Sequence, residues 1–154
     1  DSTHKLNAVL AAFLRHPPTP SCLILTHPDP ARLETTATYL QTAYEWPRFS
    51  VGQALSAALL SIPPEDRPRA AERCMMASLR ELTPGPVLCT AIDLLFEPTL
   101  HLDPLMLYRR IARLMALIVL WPGTYSGGVL AYADPRHAHY RTWRRPDVYV
   151  ENIV

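Results

Sequence analysis

The chain has 154 residues and a mass of 17.3 kDa, enough for one domain with a real core and too little for two independent enzymatic domains. Hydrophobic residues make up 49% and charged residues 19%, which excludes a disordered chain, and a net charge of +1 excludes a whole-molecule field for gripping nucleic acid. Lys5 is the only lysine, and five glycines stand against sixteen prolines, so chemistry that needs a positioned lysine or a glycine-rich loop is nearly excluded by counting.

In chain order, Leu6, Val9, Leu10, Phe13 and Leu14 recur at helical spacing behind Ser2 as the cap, predicting an amphipathic helix that Pro17-Pro18 stops. Residues 21 to 26 form a short apolar run bounded by prolines, the pattern of a buried parallel strand. The turn His27-Pro28-Asp29-Pro30 leads into a helix from about Ala31 to Glu45 with Leu33, Ala37, Leu40 and Tyr44 on one face. Two more helical patterns, 53 to 62 and 68 to 82, flank an exposed Pro63-Pro64-Glu65-Asp66 loop. Pro86 to Ile92 reads as a second buried strand with Asp93 at its tip. Asp103-Pro104 caps and opens a helix to about Met115 with Leu107, Ile111 and Leu114 inward. A third strand, Ala116 to Leu120, is broken by Trp121-Pro122-Gly123, and Gly127-Gly128 turns the chain into Val129 to Ala133. Residues 136 to 154 read as an irregular basic-aromatic segment. Strands alternating with helices predict a single three-layer α/β domain, 1 to 154, with a mainly parallel sheet.

Compartment follows from the thiols. Cys22, Cys74 and Cys89 are odd in number and sit in apolar runs without metal spacing, as in a reduced, cytoplasmic protein. No leader pattern starts the chain, and the longest apolar run, Leu114 to Trp121, falls far short of the roughly 20 residues of a membrane span.

A strand, turn and helix at the start of an α/β domain is where backbone N–H groups would hold a phosphate. The strand ending at Asp93 likewise has the form of an acidic element that holds the magnesium of a nucleotide. Between Leu23 and Thr36, however, there is neither glycine nor lysine, Pro28 and Pro30 lack N–H groups, and Asp29 brings a negative charge. What remains for a nucleotide such as Mg-ATP is Arg32, Thr35 or Thr36, and Asp93. The alternative reading is a structural turn with Asp93 as a capping residue and no cofactor.

From Pro86 to Tyr140 the residue order becomes specific: Ile92-Asp93-Leu94-Leu95-Phe96, Leu102-Asp103-Pro104-Leu105, Arg113, Val119-Leu120-Trp121-Pro122-Gly123, Leu130-Ala131-Tyr132-Ala133-Asp134-Pro135-Arg136-His137 and Tyr140. This string, about a third of the chain, resembles the small P-loop BrxF family of type 3 bacteriophage-exclusion (BREX) systems. The resemblance implies a domain of P-loop NTPase type, here with a degenerate Walker A loop, encoded beside a large ATPase, a DNA methyltransferase and a phosphatase-like protein. Residues 27 to 35 depart from the family's glycine-lysine loop, so ATP hydrolysis is not carried over.

Three further groups carry chemistry. Asp134, His137 and His139 have the donors for zinc, against the plainer reading of a surface turn. Arg136, Arg141, Arg144 and Arg145, interleaved with Tyr140 and Trp143, suit phosphate contact and base stacking, against a tail whose Trp143 packs back on the sheet. Arg109, Arg110 and Arg113 share the Asp103-capped helix, where an arginine can act on a neighbour's nucleotide or simply face water.

Two readings follow. One is a non-catalytic adaptor of an anti-phage complex that binds a larger ATPase or methyltransferase subunit through Arg113, Tyr125, Tyr140, Trp143, Arg144 and Arg145. The other is a regulatory nucleotide-binding subunit using Arg32 and Asp93. Direct DNA contact through the C-terminal patch is a more distant option, and self-association into a homo-oligomer stays open.

Overall fold

The computed structural model describes residues 2–154. Its centre is a sheet in which five parallel strands run in the order β2, β3, β4, β1, β7. These are β1 (Cys22–His27), β2 (Arg48–Ser50), β3 (Val87–Thr90), β4 (Leu117–Ser126) and β7 (Tyr149–Asn152). The strands β5 (Val129–Tyr132) and β6 (Arg141–Arg144) extend the far end of β4 in antiparallel fashion.

The three apolar runs are strands because they are covered on both faces. Along β1, Cys22 and Ile24 face one core while Leu23 and Leu25 face the other. The helices α1 (Ser2–Arg15) and α2 (Pro30–Tyr44) cover the second face with Leu10, Phe13, Leu33, Ala37 and Leu40. Opposite them, α3 (Val51–Leu59), α4 (Arg67–Arg80) and α5 (Pro104–Ile111) supply Val51, Leu55, Met75, Leu79, Leu105 and Ile111. The result is a helix, sheet, helix arrangement. None of the described helices is long and apolar enough to cross a membrane. Burial pushes the Cys22 thiol up from 9.0 to about 12, with Arg109 pulling weakly the other way, so it stays protonated in the core.

Local chemistry sets the element ends. Asp29 caps α2 and Pro30 occupies its first turn, while Glu45 closes it in the left-handed region at φ 56°. Asp103 caps α5 by accepting the Met106 N–H at 3.1 Å.

Several expected boundaries are displaced. Ser2 lies inside α1 and does not cap it. The apolar stripe of α1 is narrower than its spacing suggests, since Leu14 is 41% exposed. The helix α5 ends at Ile111, which puts Arg113 past it and leaves Leu114 64% exposed, so Arg109, Arg110 and Arg113 do not share one helix. The strand β3 stops at Thr90, and Asp93 sits in a 3-10 turn over Ile92–Phe96 instead of at a strand tip.

Two corrections are larger. Trp121-Pro122-Gly123 does not break β4: His27 is the last β1 residue in register, opposite Pro122, and from Gly123 the same strand pairs with β5. Pro122 gives up an N–H where the parallel ladder ends and offers its carbonyl to the Ala133 N–H at 2.9 Å. The C-terminal segment is not irregular either, because it holds β6 and the edge strand β7, whose Leu23↔Tyr149 to Thr26↔Asn152 register lies along β1.

Candidate functional site

Parallel register brings the C-terminal ends of β1, β3 and β4 to one edge of the sheet, so Thr26 and Asp93 lie at the same edge. This is the edge at which open α/β sheets hold ligands. The turn after β1 is the place to look for a phosphate cradle, and its donors are already taken. The Asp29 N–H donates to Nδ1 of His27 at 2.9 Å. The Ala31 N–H donates to Oδ1 of Asp29 at 2.9 Å, and the Arg32 and Leu33 N–H groups donate to the Asp29 carbonyl at 3.1 and 3.3 Å. Pro28 and Pro30 have none to give. The Asp29 carboxylate therefore stands at the helix N-terminus as the resident anion, in the position a phosphate would occupy.

The four residues proposed for a nucleotide are divided by α2. Arg32, Thr35 and Thr36 line a cleft of about 380 Å³ shared with Lys5, Tyr39 and residues 151–154. There Arg32 donates to the Val154 carbonyl, and the Thr35 hydroxyl donates back to the Ala31 carbonyl at 3.0 Å, a bond within its own helix. Thr36 is buried at 8% exposure. Asp93 instead lines two clefts on the other side, of about 490 and 420 Å³, together with Pro30 and Pro122. Arg32 and Asp93 thus line different clefts.

Asp93 is held by an aromatic cluster. Its Oδ1 accepts the Tyr132 hydroxyl at 2.6 Å. Burial raises the Tyr132 phenol well above its ordinary range, and the hydrogen bond and charge of Asp93 push the same way, so this phenol remains a donor. The Tyr132 ring stacks on Phe96 at 3.6 Å and 3°, and Phe96 meets the edges of Trp121 and Trp143 at 5.1 and 6.0 Å.

Of the residues proposed for partner contact, Trp143 belongs to this cluster. Its indole N–H donates to Oδ1 of Asp103 at 3.1 Å, and Arg141 lies 5.0 Å over its ring. Tyr125 is half-buried in β4, where its carbonyl accepts the Asn152 amide at 3.0 Å. Arg113, Arg144 and Arg145 are exposed, and Tyr140, 38% exposed, lines the larger Asp93 cleft. In the Asp134 to His139 turn, Oδ1 of Asp134 accepts the Arg136 N–H and Nδ1 of His137 accepts the His139 N–H, both at 2.9 Å. Among the described residues no group of three His, Cys, Asp or Glu side chains is placed to hold a metal ion.

Sequence reading missed Tyr132, Asn152 and Thr124, which lines the larger Asp93 cleft, as site-forming residues. Asn152 accepts the Thr26 hydroxyl at 2.6 Å and ties β7 to the end of β1, a role no spacing announces. Loss of the Asp29 cap gives a direct check on the closed turn. Asp29→Ala should lower stability by about 1 kcal/mol in urea unfolding, while Asp29→Asn, which keeps an accepting oxygen, should cost far less. Equal losses for the two would show that the side chain does not cap α2.

No family model matches the chain, and no curated protein or solved structure matches it.

Proposed function

We propose that this chain is a non-catalytic accessory subunit, a P-loop-type domain with a closed phosphate loop that binds a larger ATPase or DNA-modifying subunit of a bacterial anti-phage system. The observation that carries the non-catalytic half is the self-satisfied turn after β1, in which the N–H groups of Asp29, Ala31, Arg32 and Leu33 already have acceptors inside the chain. A nucleotide phosphate would have to displace the Asp29 carboxylate and break these bonds. The one lysine, Lys5, comes from α1 on the Arg32 side of α2 and is engaged in an ion pair with Glu151 at 3.4 Å. The interior position of β1, between β4 and the edge strand β7, and the placement of Asp93 at the same edge beyond β3, support the P-loop-type reading. The anti-phage setting rests on the resemblance over residues 86 to 140.

A melting series with Mg-ATP and Mg-ADP tests the reading. A ligand at a hundred times its dissociation constant stabilises a protein by about 2.7 kcal/mol, so a bound nucleotide would visibly raise the Tm. The expected result is no change, together with no ATP turnover above buffer. Turnover that disappears in Asp93→Ala would replace this reading with a working nucleotide site. The partner half is tested by copurification from cells expressing the neighbouring defence genes, where retention of a large ATPase or methyltransferase subunit is expected.

A further inference from the structure

The larger cleft beside Asp93, about 490 Å³, is lined by prolines, aromatic rings and two carboxylates, with the Thr124 and Tyr140 hydroxyls also on its wall. Pro28, Pro30, Pro122 and Pro135 line it, and none carries an N–H. Asp93 and Asp134 add two carboxylates, and no arginine or lysine stands among the lining residues. One oxygen of each is engaged, by the Tyr132 hydroxyl and by the Arg136 N–H, and among the described residues the second oxygen of each has no hydrogen-bond partner. The remaining wall is Thr124, Ala133, Tyr132, Tyr140 and the His137 imidazole, which meets the Tyr132 ring edge-on at 5.8 Å. Nδ1 of His137 is already an acceptor for the His139 N–H, which leaves Nε2 as the one imidazole donor.

This lining selects against two kinds of guest. A phosphate or carboxylate would face two like charges with no arginine or lysine among the lining residues to compensate. An apolar group would strip water from two carboxylates and give them nothing in exchange. A guanidinium meets both conditions, because its flat faces lie against aromatic and proline rings while its N–H fork reaches carboxylate oxygens. An ammonium offers the charge without the flat face or the fork. Asp93 is well suited as the main acceptor: the bond from Tyr132 fixes one oxygen, and the Phe96 stack fixes Tyr132.

We propose that this cleft is the docking site for an arginine side chain presented by a partner protein, with Asp93 and Asp134 as its acceptors. The proposal rests on the accessory-subunit reading for the existence of such a partner, and deepens it by naming the chemistry the partner brings.

The test uses the full chain and a defined probe, the blocked amino acid N-acetyl-arginine amide, followed by NMR. Signals of Asp93, Thr124, His137 and Tyr140 should shift with the arginine probe and not with its glutamine counterpart or with inorganic phosphate. The response should fall at least about tenfold in Asp93→Asn combined with Asp134→Asn. The Asp93→Asn change keeps an accepting oxygen for Tyr132, so the fold should persist, and the single variants serve if the double one melts early. Equal responses to glutamine and arginine, shifts with phosphate at these residues, or undiminished binding in the double variant would each overturn the proposal. Copurification separates the two readings. A partner retained by wild type and lost from Asp93→Asn supports the cleft. A partner retained equally by both sinks the cleft and leaves the accessory role standing. Asp93-dependent arginine binding without any retained partner supports the cleft and removes the accessory role.

Discussion

Gly123→Ala is expected to be the most damaging single-methyl change in the protein, lowering stability by about 3 kcal/mol or more. Gly123 is buried where β4 leaves the parallel ladder and begins to pair with β5. A Cβ built there would lie 1.8 Å from the Ala131 carbonyl oxygen and 3.2 Å from Cδ1 of Trp121. The nearer atom is backbone, so no rotamer change relieves the clash, and the hairpin must move away from β4. Overpacking of side chains costs about 1–3 kcal/mol, and a backbone obstacle belongs at or above that ceiling. Urea unfolding of Gly123→Ala against wild type measures it. A loss under about 1 kcal/mol, below the overpacking range, would mean that the hairpin leaves room for a methyl group at this junction.

Trp121→Ala should be comparably severe, at about 3–5 kcal/mol, the usual cost of deleting a fully buried tryptophan. At about 2–4 °C per kcal/mol for a chain of this size, the Tm should fall by at least about 6 °C. Trp121 is fully buried, meets Phe96 and Trp143 edge-on, and donates its indole N–H to the Ala131 carbonyl at 3.0 Å. Trp121→Phe keeps much of the packing and removes that hydrogen bond, while the Ala131 carbonyl stays opposite Thr124 in the β4–β5 ladder, so it should lose about 0.5–1.5 kcal/mol. Equal Tm values for Trp121→Phe and Trp121→Ala would assign the whole effect to the hydrogen bond and none to the cluster. Because both substitutions act on the Ala131 carbonyl, the Gly123 and Trp121 losses should not add.

The buried parallel strands were legible because covering both faces leaves long apolar runs such as Cys22-Leu23-Ile24-Leu25. The strands that escaped detection lack that signature. Arg48-Phe49-Ser50 is too short to show a period, and Tyr149-Val150-Glu151-Asn152 lies at an edge with only partial burial. The path through Pro122 was hidden because proline marks a break wherever an N–H is needed, and here the pairing partner ends at that residue. The missing phosphate-loop residues were plain from composition. That the turn's N–H groups are consumed by its own aspartate and histidine was not, since it depends on side-chain direction. The separation of Arg32 from Asp93 was equally invisible, because sequence places both at the same edge without saying which flank of α2 each faces. Trp143 could be read as tail or core, and its contacts with Phe96, Asp103 and Trp121, distant in sequence, separate the two.

The capped turn after β1 also makes the loop hard to convert. Installing a lysine near residue 32 would leave every N–H still occupied and the Asp29 carboxylate still in place. Opening the cradle would require glycines at 28 to 30, and each step of that route loosens α2 before any phosphate can compensate, first by removing the cap and then by widening the conformational freedom of the unfolded loop. A chain at this point sits in a local basin of its sequence landscape: intermediates toward nucleotide binding are less stable than the start and no better at binding. Directed selection for ATP affinity would have to cross several substitutions at once.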